Sequence, residues 1–124
     1  MRPQLILIAG PYRSGANGNA ELIAGNLRRL EEAALHVYRL GHMPMIGEWV
    51  ALPLAAAAGS KAVGDPVSET FLYPVANRLI RQCEAVYRID GASQGADGDV
   101  RLAGELGLPV YRSLGEIPQV ATTA

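Results

Sequence analysis

Five consecutive apolar residues, Leu5-Ile6-Leu7-Ile8-Ala9, set the strongest limit on what this chain can fold into. A strand with one wet face alternates apolar and polar residues, and this run does not. It predicts a strand buried on both faces, as in a parallel sheet with helices above and below. Three shorter runs repeat the theme: His42-Met43-Pro44-Met45-Ile46, residues 85–89 and residues 108–111. Pro44 suits an edge strand, because proline cannot donate to a ladder. Parallel strands need crossovers, and right-handed helical crossovers are the rule.

The intervening stretches read as helices. Ile23, Leu27, Leu30, Ala34 and Val37 recur at helical spacing, with Asn17 or Asn19 as the cap and Gly41 as the stop. Arg28, Arg29, Glu31 and Glu32 fall off that stripe and make a solvated face. Residues 47–65 are the least legible. Residues 48–52 read as helix, Pro53 as a kink or restart, and 59–64 as a mobile loop. Asp65-Pro66 marks a firm helix start. Leu72, Val75, Leu79 and Cys83 form its stripe, and Pro74 is expected to kink or split it. Cys83 reads as buried and inert, and His42 as structural. The last helix carries Ala96, Val100, Ala103 and Leu106 inward and stops at Gly107. One helical turn is expected within 113–117, and the tail after Gln119 is expected to fray.

This alternation predicts an α/β, flavodoxin-like, doubly wound parallel sheet of about four strands in the order 2-1-3-4. One domain spanning 1–124 is expected from the length of 124 residues. A composition 49% hydrophobic and 19% charged belongs to a folded chain. The net charge of −1 gives no basic face for a nucleic acid. The apolar run at 5–9 is too short for a membrane span or signal core. A lone cysteine fits a reducing, cytoplasmic setting, and two scattered histidines suggest no metal site. No cofactor is implied.

In the 2-1-3-4 order the switch point lies between strands one and three, where ligands bind beyond the carboxyl ends. Two loops meet there. The first, Gly10-Pro11-Tyr12-Arg13-Ser14-Gly15-Ala16-Asn17-Gly18, offers Arg13 as a bidentate anion grip or as a solvated loop residue. The second, Asp90-Gly91-Ala92-Ser93-Gln94-Gly95-Ala96-Asp97-Gly98-Asp99, reads as a Gly-rich turn opening a helix. Backbone N–H groups around Gly95 and Ser93 can cradle an anion. Asp99, near the helix start, is expected to be held as the anion by the dipole. Asp90 is either a turn former or a proton donor facing the crevice. Arg88 is expected to pair with Asp90 two residues on, at the pocket floor. Trp49 is either core or pocket wall.

Ile8-Ala9-Gly10-Pro11-Tyr12 and Ser93-Gln94-Gly95-Ala96-Asp97-Gly98-Asp99 together resemble the nucleoside 2-deoxyribosyltransferase family. The second matches its Ser-x-Gly-x-x-x-Glu pattern, with Asp99 in place of the usual Glu. The nearest group is its small bacterial members, and the likeness runs over roughly residues 5–117. The resemblance implies cleavage of the N-glycosidic bond of a nucleoside or nucleoside 5′-monophosphate. Asp99 would be the nucleophile, Tyr12 would orient it or contact the sugar, and Ser93 would hold the 5′ end. The partner implied is a small-molecule nucleoside or nucleotide. A homo-oligomer is also expected, because Trp49, Val50, Leu52, Leu54 and Ala55 to Ala58 exceed what a small domain easily hides. Two alternatives stay open. One is a non-catalytic nucleotide- or sugar-phosphate-binding module, and the other acts on a different glycoside, such as a dinucleotide.

Overall fold

The computed structural model describes residues 1–120. Its sheet has four parallel strands, β1 (Leu5–Ala9), β2 (Met43–Met45), β3 (Ala85–Arg88) and β4 (Val110–Tyr111), in the order β2-β1-β3-β4. β1 and β3 are central and almost fully buried, as the unalternating run of β1 required. β2 is an edge strand, which accommodates Pro44.

Helix α1 (Ala20–Arg39) is capped by Asn19, whose side-chain oxygen accepts from the Glu21 and Leu22 N–H groups. Its Ile23, Leu30, Ala34 and Val37 pack with Ile6, Ile8, Ala85 and Tyr87 on one sheet face. The other face carries Leu7, Ala9 and Val86 against Ile80, Cys83, Ala96 and Ala103. These come from the end of α3 (Pro66–Ile80), from the turn after it, and from α4 (Gln94–Glu105). Helix α2 (Gly47–Ala57) packs along α3. Among the described residues, no helix is long and apolar enough to cross a membrane.

Several expectations need correction. The illegible 47–65 segment holds a whole helix, and both α2 and α3 run through their prolines, Pro53 and Pro74. Both rings are exposed, so each helix accommodates its proline on the solvent side. The 59–64 loop is tied down: the Asp65 carboxylate accepts from Ser68 N–H (2.8 Å), Lys61 N–H (2.9 Å) and Ser60 Oγ (2.8 Å). These bonds hold the Asp65 carboxyl well below the usual carboxylate range. Helix α4 starts at Gln94, inside the stretch expected to be a turn, because Ser93 caps it by accepting from Ala96 N–H at 3.1 Å. Leu106 lies past the helix end and is 38% exposed. Val120 is not frayed: its N–H donates to Leu40 O at 2.8 Å, and its side chain packs on Gly41. The rest of the tail lies outside the described residues.

Two expectations about structural residues hold. His42 is buried, with Nδ1 accepting from Gln4 N–H at 3.0 Å and Nε2 donating to Pro118 O at 2.5 Å. Cys83 is buried, and burial pushes its thiol up to about 11.

At the switch point two glycines let the turns after β1 and β3 nest. A Cβ on Gly10 would lie 2.3 Å from Ile89 Cγ1, and one on Gly91 would lie 2.6 Å from Pro11 Cγ. Gly91 also sits at φ +117°, where an L side chain is strained. Gly10→Ala should therefore destabilise the fold by about 1–3 kcal/mol, the usual cost of overpacking. Ile89→Ala in the same background should recover part of that loss in a denaturant-melt double-mutant cycle. Strict additivity of the two substitutions would contradict this contact.

Candidate active site

A cavity of about 250 Å³ opens at the carboxyl edge of the sheet. That is small for a ligand site, yet it has the expected mixture of an apolar wall and a few convergent polar groups. The apolar wall is Ala9, Leu72, Ala76 and Ala96, and the polar groups are Tyr12, Arg13, Glu48, Glu69, Ser93 and Asp99. A second groove of about 380 Å³ shares Tyr73 and Asp99 with it and adds Asn77, Arg81, Gln94 and Arg101. Asp99 thus stands where the two spaces meet.

The first loop delivers Tyr12 and Arg13. Asn26 Nδ2 on α1 donates to Tyr12 O at 2.7 Å and fixes that loop. Tyr12 is buried, and burial followed by the charge of Glu48 raises its phenol pKa. Arg13 reaches across the mouth to an ion pair with Glu69 on α3. Gly64 packs flat against that guanidinium, since a Cβ there would sit 3.0 Å from Nη2. The Arg13 Nε is buried with no hydrogen-bond partner among the described residues.

The second loop delivers Ser93, Gly95 and Asp99. Ser93 Oγ is occupied by its capping bond, while Gly95 stands in the first turn of α4 and lines the cavity. First-turn N–H groups have no acceptor within the helix; those of Ala96 and Asp97 donate to Ser93, which leaves that of Gly95 available to a ligand. Asp99 is the sixth residue of α4, in its second turn, where the dipole's effect has fallen off. Burial therefore dominates and pushes its carboxyl up to about 6, with the Arg88 charge acting in the opposite direction. The expectation that the dipole would lower it fails, because the helix starts earlier than the glycines suggest.

Of the residues singled out in the sequence, Gly10, Tyr12, Arg13, Ser93, Gly95 and Asp99 come together in the cavity. Three do not. Asp90 is exposed and lines a different groove with Arg29, His36 and Arg112. β3 ends at Arg88, so strand alternation no longer governs Asp90. Arg88 therefore does not pair with it. Its guanidinium donates to Ile89 O, to Gly91 O at 2.8 Å and to Asp97 Oδ1 at 3.0 Å, which clamps the turn beneath α4. Arg88 is no cavity floor and acts on Asp99 only through its charge. Trp49 is 39% exposed and its indole N–H donates to Glu31 on α1 at 3.0 Å, so it is neither core nor pocket wall.

Glu48 and Glu69 are the residues that sequence reasoning missed. Glu48 is the second residue of α2, just past the carboxyl end of β2. Its position as the only acid between β2 and the loop before Asp65 was the available signal. Burial first, and the charge of Asp99 in addition, push its carboxyl up to about 7 against a backbone hydrogen bond that lowers it. Among the described residues, no group of three His, Cys, Asp or Glu is placed to hold a metal.

No protein-family model matches the chain, and no curated protein sequence matches it. A solved structure does, that of a 2-deoxyribosyltransferase from the psychrotolerant bacterium Bacillus psychrosaccharolyticus. The two are 21% identical, superpose with a TM-score of 0.60, and align over 86% of this chain and 69% of that one. At that identity the likeness is one of fold, and it agrees with the fold implied by the sequence resemblance.

Half-burying an acid with no ion-pair partner among the described residues has a cost that can be measured. The pKa of Glu48 rises from 4.5 to about 7 on folding, so the folded state favours its protonated form. The resulting stability is full below pH 4.5 and is lost as pH rises through about 7. Glu48→Gln, which cannot ionise, should thus be more stable than the wild type at pH 8. The gain expected after solvent screening is on the order of 1–3 kcal/mol, and it should vanish near the unfolded pKa. Denaturant melts at both pH values check this, and an equal difference at the two would refute it.

Proposed function

We propose that the chain cleaves the N-glycosidic bond of a nucleoside or nucleoside 5′-monophosphate, by hydrolysis or by transfer of the sugar. The observation that carries this reading is a half-buried carboxylate, Asp99, at the sheet's carboxyl edge with Tyr12 and Arg13 beside it in one cavity. The fold shared with a 2-deoxyribosyltransferase supports it. A glycosidic carbon gathering positive charge needs such a carboxylate, as nucleophile or as stabiliser. In this reading the Asp99 carboxylate attacks C1′ and the glycosyl ester is then opened by water or a second base. The Arg88 charge near Asp99 keeps a fraction ionised despite burial.

Asp99 has one methylene less than the Glu of the resembling family. That difference favours the rival reading, a non-catalytic nucleotide- or sugar-phosphate-binding module. A panel of nucleosides and 5′-monophosphates, followed for free base, separates the two. Asp99→Asn should lower base release on the order of 10⁴-fold or more while leaving the fold intact. A wild type that binds members of the panel without releasing base would establish the binding module.

Arg13 is the proposed 5′-phosphate ligand, together with the N–H groups around Gly95. Its charge is already countered by Glu69, so a phosphate must displace that carboxylate. Glu69→Gln should tighten monophosphates relative to nucleosides, and Arg13→Ala should abolish the preference, worth about 1.5–3 kcal/mol for a charge-assisted contact. Calorimetric affinities that leave the preference unmoved in both variants would remove the phosphate from the proposal.

Association of copies is proposed through α2, where Leu54 is 46% and Trp49 39% exposed. Only Ala51 and Ala55 of that helix are fully buried. Sedimentation at micromolar concentration should show at least twice the chain mass of 13.1 kDa, and a clean monomer would exclude association.

A further inference from the structure

We infer that Glu48 is the general acid of this site, giving its proton to the departing base as Asp99 attacks the sugar. The inference rests on the N-glycosidic reading above and supplies the group that reading lacks, the source of the leaving group's proton. Glu48 arrives from β2 and Asp99 from β3, the two neighbours of β1, so the carboxyls enter one cavity from either side of the central strand. The Asp99 charge acts on Glu48, and that of Glu48 acts on Tyr12.

The two acids are placed asymmetrically. Asp99 has the Arg88 guanidinium nearby, which supports its anion. Glu48 has no ion pair among the described residues, and Arg13, the cation of the cavity wall, is held by Glu69. One carboxyl is therefore suited to attack and the other to carry a proton. Rival donors fall away. Asp90 lies in another groove and Asp97 is tied to Arg88. The Tyr12 phenol is raised above its ordinary value and is a poor donor near neutrality.

The step balances as follows. An Asp99 carboxylate oxygen bonds to C1′, the C1′–N bond breaks, and its electron pair stays with the base. The Glu48 proton moves to a ring nitrogen of that base and leaves a Glu48 carboxylate. In the second step water, or the N–H of an acceptor base, attacks C1′. Its proton passes to Glu48, and the Asp99 carboxylate departs. Microscopic reversibility makes the acid of the first step the base of the second.

The test uses 2′-deoxyguanosine and its N7-methylated counterpart, each as nucleoside and as 5′-monophosphate. The methylated base already carries a positive charge and leaves without a proton. Glu48→Gln should lower kcat/KM on the ordinary substrate by about 10²-fold or more, the scale of general acid catalysis. On the methylated substrate it should change little. Asp99→Asn should lose both. Glu48→Asp, which keeps an acid, should recover part of the activity on the ordinary substrate. An equal loss on both substrates in Glu48→Gln, or no loss on either, overturns the assignment and leaves the N-glycosidic reading standing. A wild type inert on every form overturns that reading and Glu48's role with it.

Discussion

The close approach of two turns at the centre of the sheet is the constraint on which the site depends. β1 and β3 pair in parallel, so the loops that leave them emerge side by side. They fit only because Gly10 leaves room for Ile89 and Gly91 leaves room for Pro11. That nesting sets where Tyr12 and Arg13 stand relative to Ser93, Gly95 and Asp99. The Arg88 clamp adds to it, tying the carbonyls of Ile89 and Gly91 to the first turn of α4 through Asp97. A turn with so few free conformations presents its backbone N–H groups and the Asp99 carboxyl in one geometry, which favours preorganised chemistry.

Electrostatics then distinguish groups that composition alone treats alike. Asp65 and Asp99 are both aspartates near helix starts, but Asp65 gathers hydrogen bonds and is held as an anion, while Asp99 is desolvated and pushed towards neutrality. Glu69 and Glu48 are both glutamates on the cavity wall, yet among the described residues only Glu69 has an ion-pair partner. Carboxyl groups whose environments push them apart mark acid and base roles. Stability gains nothing from half-burying Glu48 with no ion pair among the described residues, which is why its placement points to function.

The sheet was legible because each strand and helix carried its own local signal. Leu5 to Ala9 did not alternate, Pro44 demanded an edge, Asn19 and Asp65 capped, and Gly41 and Gly107 stopped. Half of the candidate site was legible for the same reason, since Tyr12, Arg13, Ser93, Gly95 and Asp99 follow the carboxyl ends of β1 and β3, whose position follows from strand order. The errors arose where a local rule met a tertiary boundary. Alternation linked Arg88 to Asp90, but the strand stopped between them. Glycines at 95 and 98 read as turn, but the Ser93 cap had already started the helix. Glu48 stayed hidden because α2 has no clear apolar stripe to orient it, and Trp49 beside it drew attention to the wrong side chain. The Arg13–Glu69 pair joins residues far apart in sequence, and no spacing rule could couple them.

The central claim is that Asp99 forms a covalent bond to the sugar. Intact-mass and peptide analysis after incubation with 2′-fluoro-arabino nucleosides tests it most directly, because the electron-withdrawing fluorine destabilises the charge needed to open the ester. The account predicts one fluoro-sugar adduct on the tryptic peptide running from Ile89 to Arg101, with the modification on Asp99. An adduct on another residue, or steady base release with no adduct, would contradict it.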